Sequence, residues 1–189
     1  MSRLVRHVLL ILALLTASGA VWAQPTNAEK RAALDKLLAA LKAAPTEEAA
    51  APIEAHVRQL WMDQSSPAVS LLMSRGLRDQ KAGAHEEAIA DFTDAITLDP
   101  AYAEAWHERA IARYDQGDTM GAIRDIEETL KREPRHFGAW ATLARIAESR
   151  KDWKGAYAAW QKVLDIDPKM PGGEGRLKDL KRRALGEQT

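Results

Sequence analysis

Five histidines, His7, His56, His85, His107 and His136, are the first residues of this 189-residue chain that could carry chemistry. A protein binds zinc or a similar ion most readily when two histidines stand at i, i+4 on one helical face, with a carboxylate or thiolate completing the set. No such pair occurs here. His107-Glu108 lacks the second histidine of an H-E-x-x-H sequence, and the chain has no cysteine. The spacing predicts no metal site and no cofactor. The acidic pairs Glu47-Glu48, Glu86-Glu87 and Glu127-Glu128 are poor catalytic carboxylates, because adjacent helical residues do not face each other. In early helical turns they suit the helix dipole instead. Serine, histidine and aspartate occur without a nucleophile elbow. Pro171-Gly172-Gly173 has neither the preceding strand nor the following Gly-Lys-Ser/Thr of a phosphate-binding loop. These residues predict no catalytic group, so the chain is expected not to be an enzyme.

Charge narrows the partners. The 27 basic and 27 acidic residues cancel, which leaves no field of one sign to hold a phosphate backbone. Nucleic acid is therefore not an expected partner. The one basic cluster, Lys178 to Arg183, is diluted by Asp179 and reads as the cation-favouring end of a helix. No small-molecule substrate is suggested.

The N-terminus is set aside from the fold. Arg3, Arg6 and His7 precede an uncharged run, Val8 to Ala23, that ends in Val21-Trp22-Ala23. This layout is that of a secretory signal peptide, with cleavage expected after Ala23 and a periplasmic destination. The alternative is an uncleaved anchor, for which 16 residues fall short of the ~20 that span a bilayer. Contact with a membrane is expected only through export or an uncleaved signal. Without cysteine, the exported protein must be held by its core alone.

The elements that position side chains repeat. Pro100, Pro134 and Pro168 stand 34 residues apart, as do Ala88, Ala122 and Ala156. Phe92, Ile126 and Trp160 share the register, and so do Ile96, Leu130 and Leu164. Leu72, Trp106 and Trp140 form one more column. Within a unit, Tyr102, Trp106, Ala110 and Tyr114 recur at four-residue steps, the stripe of an amphipathic helix. Gly117 interrupts it, and Asp118 is placed to cap a second helix carrying Ala122, Ile123, Ile126 and Leu130. Pro134 ends that helix. Gly83 marks the corresponding turn in the first unit, and Asp152 is the matching cap in the third.

With Trp106 and Trp140, Gly76, the alanine column, Phe92 and the closing prolines in one 34-residue register, the chain resembles the tetratricopeptide repeat family. Ala110 and Ala144 depart from the glycine, Asp79, Arg113 and Ala147 from the tyrosine, and Arg75 and Arg109 stand where leucine is common. The resemblance implies an all-α, right-handed solenoid with repeats at 67–100, 101–134 and 135–168. Residues 24–66 carry the stripes Leu34, Leu37, Leu38, Leu41 and Ile53, Val57, Leu60, Trp61. They are expected to form a degenerate fourth hairpin, with a mobile arm as the alternative. Residues 169–189 are expected to form a capping helix, with Leu177, Leu180, Ala184 and Leu185 on its inner face.

The first helix of each hairpin lines the concave face in that family. Helical spacing then places Met73, Leu77 and Gln80, His107, Ile111 and Tyr114, and Ala141, Arg145 and Glu148 on it. Such a groove suits a peptide or protein segment. Some members clamp a peptide's terminal carboxylate with cations, but Arg145 is the only cation in this set. The expected function is a non-enzymatic interaction scaffold. The alternative is a cell-envelope assembly or chaperone factor that binds exported clients.

Overall fold

A computed structural model describes residues 26–63 and 66–186; the expected leader lies outside these. Among the described residues there are nine helices and no strand. They are α1 (Asn27–Lys42), α2 (Glu47–Met62), α3 (Pro67–Lys81), α4 (His85–Leu98), α5 (Ala103–Gln116), α6 (Thr119–Arg132), α7 (Phe137–Ser149), α8 (Trp153–Ile166) and α9 (Gly173–Leu185). No helix among the described residues is long and apolar enough to cross a membrane.

Local chemistry sets the boundaries. Asp118 Oδ1 accepts the Gly121 amide at 2.8 Å and Asp152 Oδ1 the Gly155 amide at 2.9 Å, so the expected caps close α6 and α8. The turns before α4 and α6 pass through left-handed backbone at Gly83 (φ 79°) and Gly117 (φ 101°). Lys151 takes the same place in the third unit with φ 59°. A Cβ there crowds the following carbonyl. Pro52 lies inside α2: the helix begins at Glu47, and Thr46 caps it through the Ala49 amide.

Close approach explains the small columns. Ala88, Ala122 and Ala156 are fully buried against their neighbours. A Cβ on Gly76 would sit 2.6 Å from Cε1 of Phe92, so the first unit needs glycine opposite its ring. In the later units Ala110 and Ala144 stand at that position, with Ile126 and Trp160 in the ring's column. Trp160 is buried, but Trp106 and Trp140 are only half-buried. Their indole N–H groups donate to the carbonyls of Pro100 (3.1 Å) and Pro134 (2.9 Å), so they latch the loop before their own helix.

The arginines that replace leucine are paired. Arg75 forks onto Asp91, and Arg109 onto Asp125 at 2.9 and 2.8 Å. Arg113 adds a third donor to Asp125 at 2.8 Å. In the third unit both members change together, to Leu143 and Ala159.

Within the array, α3 touches α5 and α5 touches α7, whereas α4, α6 and α8 are each packed on their hairpin partners and the next first helix. The closely spaced first helices form the inner row. At the C-terminal end α9 packs on α8, where Trp160 Nε1 donates to the Gly173 carbonyl at 2.9 Å. Leu180 is buried there, Leu177 packs beside it and Leu185 points outward, so the apolar face of α9 is shorter than its stripe.

The N-terminal pair is not a fourth unit stacked before α3. Leu34, Leu38, Leu41, Val57 and Trp61 share an apolar cluster with Phe137, Ala144, Trp160 and Leu180, while α3 belongs to a separate cluster with α4 and α5. The hairpin lies across the loops that precede α5, α7 and α9. Tyr102 Oη donates to the Met62 carbonyl (3.1 Å), Arg135 pairs with Asp35 (2.7 Å), and Thr46 to Glu48 border the loop from Pro168 to Gly173. The stripes of α1 and α2 correctly demand burial, but one stripe per helix fits any apolar surface, and the open strip along these loops is the one filled.

Candidate functional site

Two zones divide the inner row. The first lies at the N-terminal ends of α5 and α7, beneath α2. His136 caps α7: its Nδ1 accepts the Ala139 amide at 3.0 Å. Its proton is therefore on Nε2, which donates to Glu104 Oε2 at 2.8 Å. The Thr142 hydroxyl donates to the Gly138 carbonyl (3.0 Å), so its oxygen accepts from His107 Nε2 at 3.2 Å. His107 Nδ1 is left without a hydrogen bond, 3.9 Å from Glu104 Oε1.

These contacts set the charges. Burial opposes the charged form of Glu104, but His136 and His107 outweigh it and hold the carboxyl far below its usual range. Burial depresses His136 despite Glu104. Burial also opposes charge on His107, yet Glu104 and Glu108 raise it. Burial pushes Glu108 up to about 7, with Glu104 adding to the rise and His107 and Arg58 opposing it. The zone thus favours an ionised Glu104 and a neutral His136, and favours the protonated forms of His107 and Glu108.

Ligand atoms of Glu104, His107 and His136 lie within 4.8 Å of one another, a metal-compatible grouping that sequence spacing missed. His107 and His136 are 29 positions apart on different helices, so no local motif reports them. The hydrogen bonds argue against coordination. Both His136 nitrogens are engaged, one as cap acceptor and one as donor, so a metal on Nε2 would displace the Glu104 hydrogen bond and either move the proton to Nδ1, losing the Ala139 cap, or leave an imidazolate. Glu104 and His107 Nδ1 remain, two ligands short of a structural zinc site.

The second zone holds the rest of the expected groove. Leu77, Ile111 and Arg145 form one row across α3, α5 and α7, and Gln80, Tyr114 and Glu148 form another, each at 34-residue spacing. Arg145 lies over the Tyr114 ring at 4.8 Å and is 3.9 Å from Asp115. Glu148 pairs with Arg176 of α9. Three expected groove residues fall outside this surface. Met73 is buried with Phe92 in the core, His107 is buried in the first zone, and Ala141 is half-buried against the cluster that includes the hairpin. Leu77 is half-buried against the α3–α5 core. Helical spacing fixes which residues share a face, but not how deep a neighbouring helix sits on it.

Stacked hairpins with a continuous inner row define an α-solenoid, a class that presents an extended surface rather than an enclosed pocket. Residues 107–171 match the tetratricopeptide repeat family, and residues 76–117 match a second description of it, TPR repeat. A TPR repeat-containing protein of Rhizobium etli is 31% identical over 156 residues, 82% of this chain and 76% of that protein. The chain belongs to the tetratricopeptide repeat family. The Hsp70-Hsp90 organizing protein of Triticum aestivum is 32% identical over 103 residues, 54% of this chain but only 18% of that protein. Among solved structures, the first TPR of Spaghetti (RPAP3) bound to an HSP90 peptide is similar with a TM-score of 0.60 and 20% identity, over 65% of this chain and 97% of that one. The Arabidopsis OM64 TPR domain gives 0.57 and 21%, over 65% and 98%. At these identities the two structures speak for the fold.

Proposed function

We propose that the chain is a non-enzymatic scaffold that holds a peptide or protein segment on the open zone of its inner face. The observation that carries this reading is the pair of rows Leu77–Ile111–Arg145 and Gln80–Tyr114–Glu148, which cross three helices beside the hairpin. Apolar Leu77 and Ile111 with polar neighbours on a preformed surface suit a segment bound without chemistry. The names of similar proteins support a protein partner: one is an Hsp70-Hsp90 organizing protein and another an HSC co-chaperone. The alternative is a cell-envelope assembly or chaperone factor that binds exported clients; the co-chaperone names speak for a protein partner only.

Pull-down with wild type and with Tyr114→Ala plus Arg145→Glu tests the surface. Loss of one or a few partners is expected, and equal recovery of all of them would overturn the reading. A broad loss of many unfolded proteins would favour the chaperone alternative. Export with cleavage after Ala23, and hence a periplasmic site of action, is part of the same proposal. It is tested by N-terminal sequencing of the mature protein, and an intact Met1 in the membrane fraction would refute it.

A further inference from the structure

The solenoid has two unlike ends. Each later unit receives the unit before it on the first helix of its hairpin: Tyr102, Ala105 and Ala112 share an apolar cluster with Ala88, Phe92 and Ala95 of α4. Among the described residues α3 packs on α4 and α5, and the N-terminal hairpin is packed elsewhere. The receiving face of α3 is therefore open. Leu71 stands there at the position of Ala105 and is 68% exposed. Leu98 is 60% exposed at the position of Arg132, which reaches back from α6 to the Pro100 carbonyl. Ala105 and Ala139 are fully buried at this position, where the spacing of units leaves room for a methyl group. A leucine is too large for that spacing. Leu71 thus suits a neighbour that stands further off than a repeat of the same chain.

At the other end α9 is a first helix without a second. Lys178 and Lys181 stand 34 residues after Ala144 and Ala147, which are buried in the cluster that α7 shares with α8. Both lysines are exposed, and Leu185 beyond them is 62% exposed. Of the four large apolar side chains exposed among the described residues, three thus lie at the two ends; Met120 is the fourth. The ends also differ in charge. Residues 67–100 hold three cations against six acids, and residues 169–186 six cations against two. A two-fold contact would set like charge against like, whereas a head-to-tail contact brings opposite signs together.

We propose that the acidic, leucine-bearing first unit of one copy docks on the basic outer face of α9 in a second copy, so that chains associate head to tail. Each such contact leaves one free head and one free tail, so rows lengthen as concentration rises. This goes beyond the reading of the inner face. A row repeats the open zone once per copy, and a long bound segment then meets several zones at once.

The test uses the full chain in sedimentation velocity over a concentration series. Every variant carries the same residues 1–25, so differences among variants report on the ends. Leu71→Lys with Leu98→Lys blocks the head, and Lys178→Glu with Lys181→Glu blocks the tail. All four positions are exposed, so circular dichroism should be unchanged; Leu71→Gln with Leu98→Gln replaces the head variant should the lysines disturb the helices. Wild type should form oligomers that lengthen with concentration and shorten as salt is added. Each blocked variant alone should need at least ~10-fold more protein to associate, because like charges opposed at a contact are costly. Mixed together, the two should form a 1:1 pair and nothing longer, since each keeps the end that the other lacks. A monomeric wild type would overturn the proposal, as would a mixture that does not pair. A tail-blocked chain that dimerises by itself would replace it with a two-fold contact between first units. Tyr114→Ala plus Arg145→Glu should leave self-association unchanged, which separates this result from that of the open zone.

Discussion

Asp125→Ala strands two arginines that differ in their means of escape. The carboxylate is almost fully buried and accepts from Arg109 at 2.9 and 2.8 Å and from Arg113 at 2.8 Å. The Arg113 side chain is 24% exposed and can turn to water, whereas that of Arg109 is only 9% exposed. Arg109 keeps one hydrogen bond, to Thr93 Oγ1 at 3.1 Å, and its place over the Trp106 ring at 4.9 Å, but loses its counter-ion. Removing one member of a buried pair costs ~3–5 kcal/mol, and the remaining contacts of Arg109 put the expected loss near the lower end. The third repeat carries the compensated alternative, Leu143 and Ala159, at the equivalent positions. Arg109→Leu with Asp125→Ala should therefore recover stability to within ~1 kcal/mol of wild type, because neither charge is then buried. Urea melts followed by circular dichroism measure both. A double variant as unstable as Asp125→Ala alone would refute the argument that the stranded charge is the cause. In the first repeat Asp91→Ala should cost less, about 1 kcal/mol, since the Arg75 side chain is 53% exposed.

Lys151 adopts φ 59° where the two earlier units have glycine. Lys151→Gly should raise stability by ~1 kcal/mol in the same melts, by relieving left-handed strain; a loss of stability would show that the lysine side chain outweighs it. The buried cluster predicts a pH dependence. Glu108 is raised from 4.5 to about 7, and His107 is also raised, so the stabilisation these groups give is complete at low pH and lost as pH climbs through their folded values. Glu104 and His136 are lowered, so theirs fails in the other direction, on acidification. Glu54 and Arg58 of α2, Glu133 and Arg135 of the preceding loop, and the buried Asp167, itself raised by burial and by Glu54, complete the charges around the hairpin. Stability should fall by roughly 1–2 kcal/mol between pH 6 and pH 8.5, discounted for the partial exposure of Glu108. Glu108→Gln should remove most of that slope in thermal melts. An unchanged slope would take Glu108 out of the cluster.

The proline and alanine columns, the amphipathic stripes and the Asp118 and Asp152 caps are local patterns. A helix forms its hydrogen bonds within itself, and repeats make the same neighbour contact each time, so these features determine the all-α repeat architecture without reference to distant residues. The Arg75–Asp91 and Arg109–Asp125 pairs were not read from the sequence, although a 16-residue offset recurs there at 34-residue spacing and changes jointly to Leu143 and Ala159. Family expectation alone sees only arginine in place of leucine. The meeting of Glu104, His107 and His136 was not legible, because residues 29 and 32 positions from His136 on another helix carry no periodic signal. Nor was the place of α1 and α2. Their stripes determine that they bury an apolar face, and only the fitted surfaces of α5, α7 and α8 decide which face receives it. That tertiary choice covers His107 and Ala141, leaves the rows through Ile111 and Tyr114 beside the hairpin, and divides one expected groove into two.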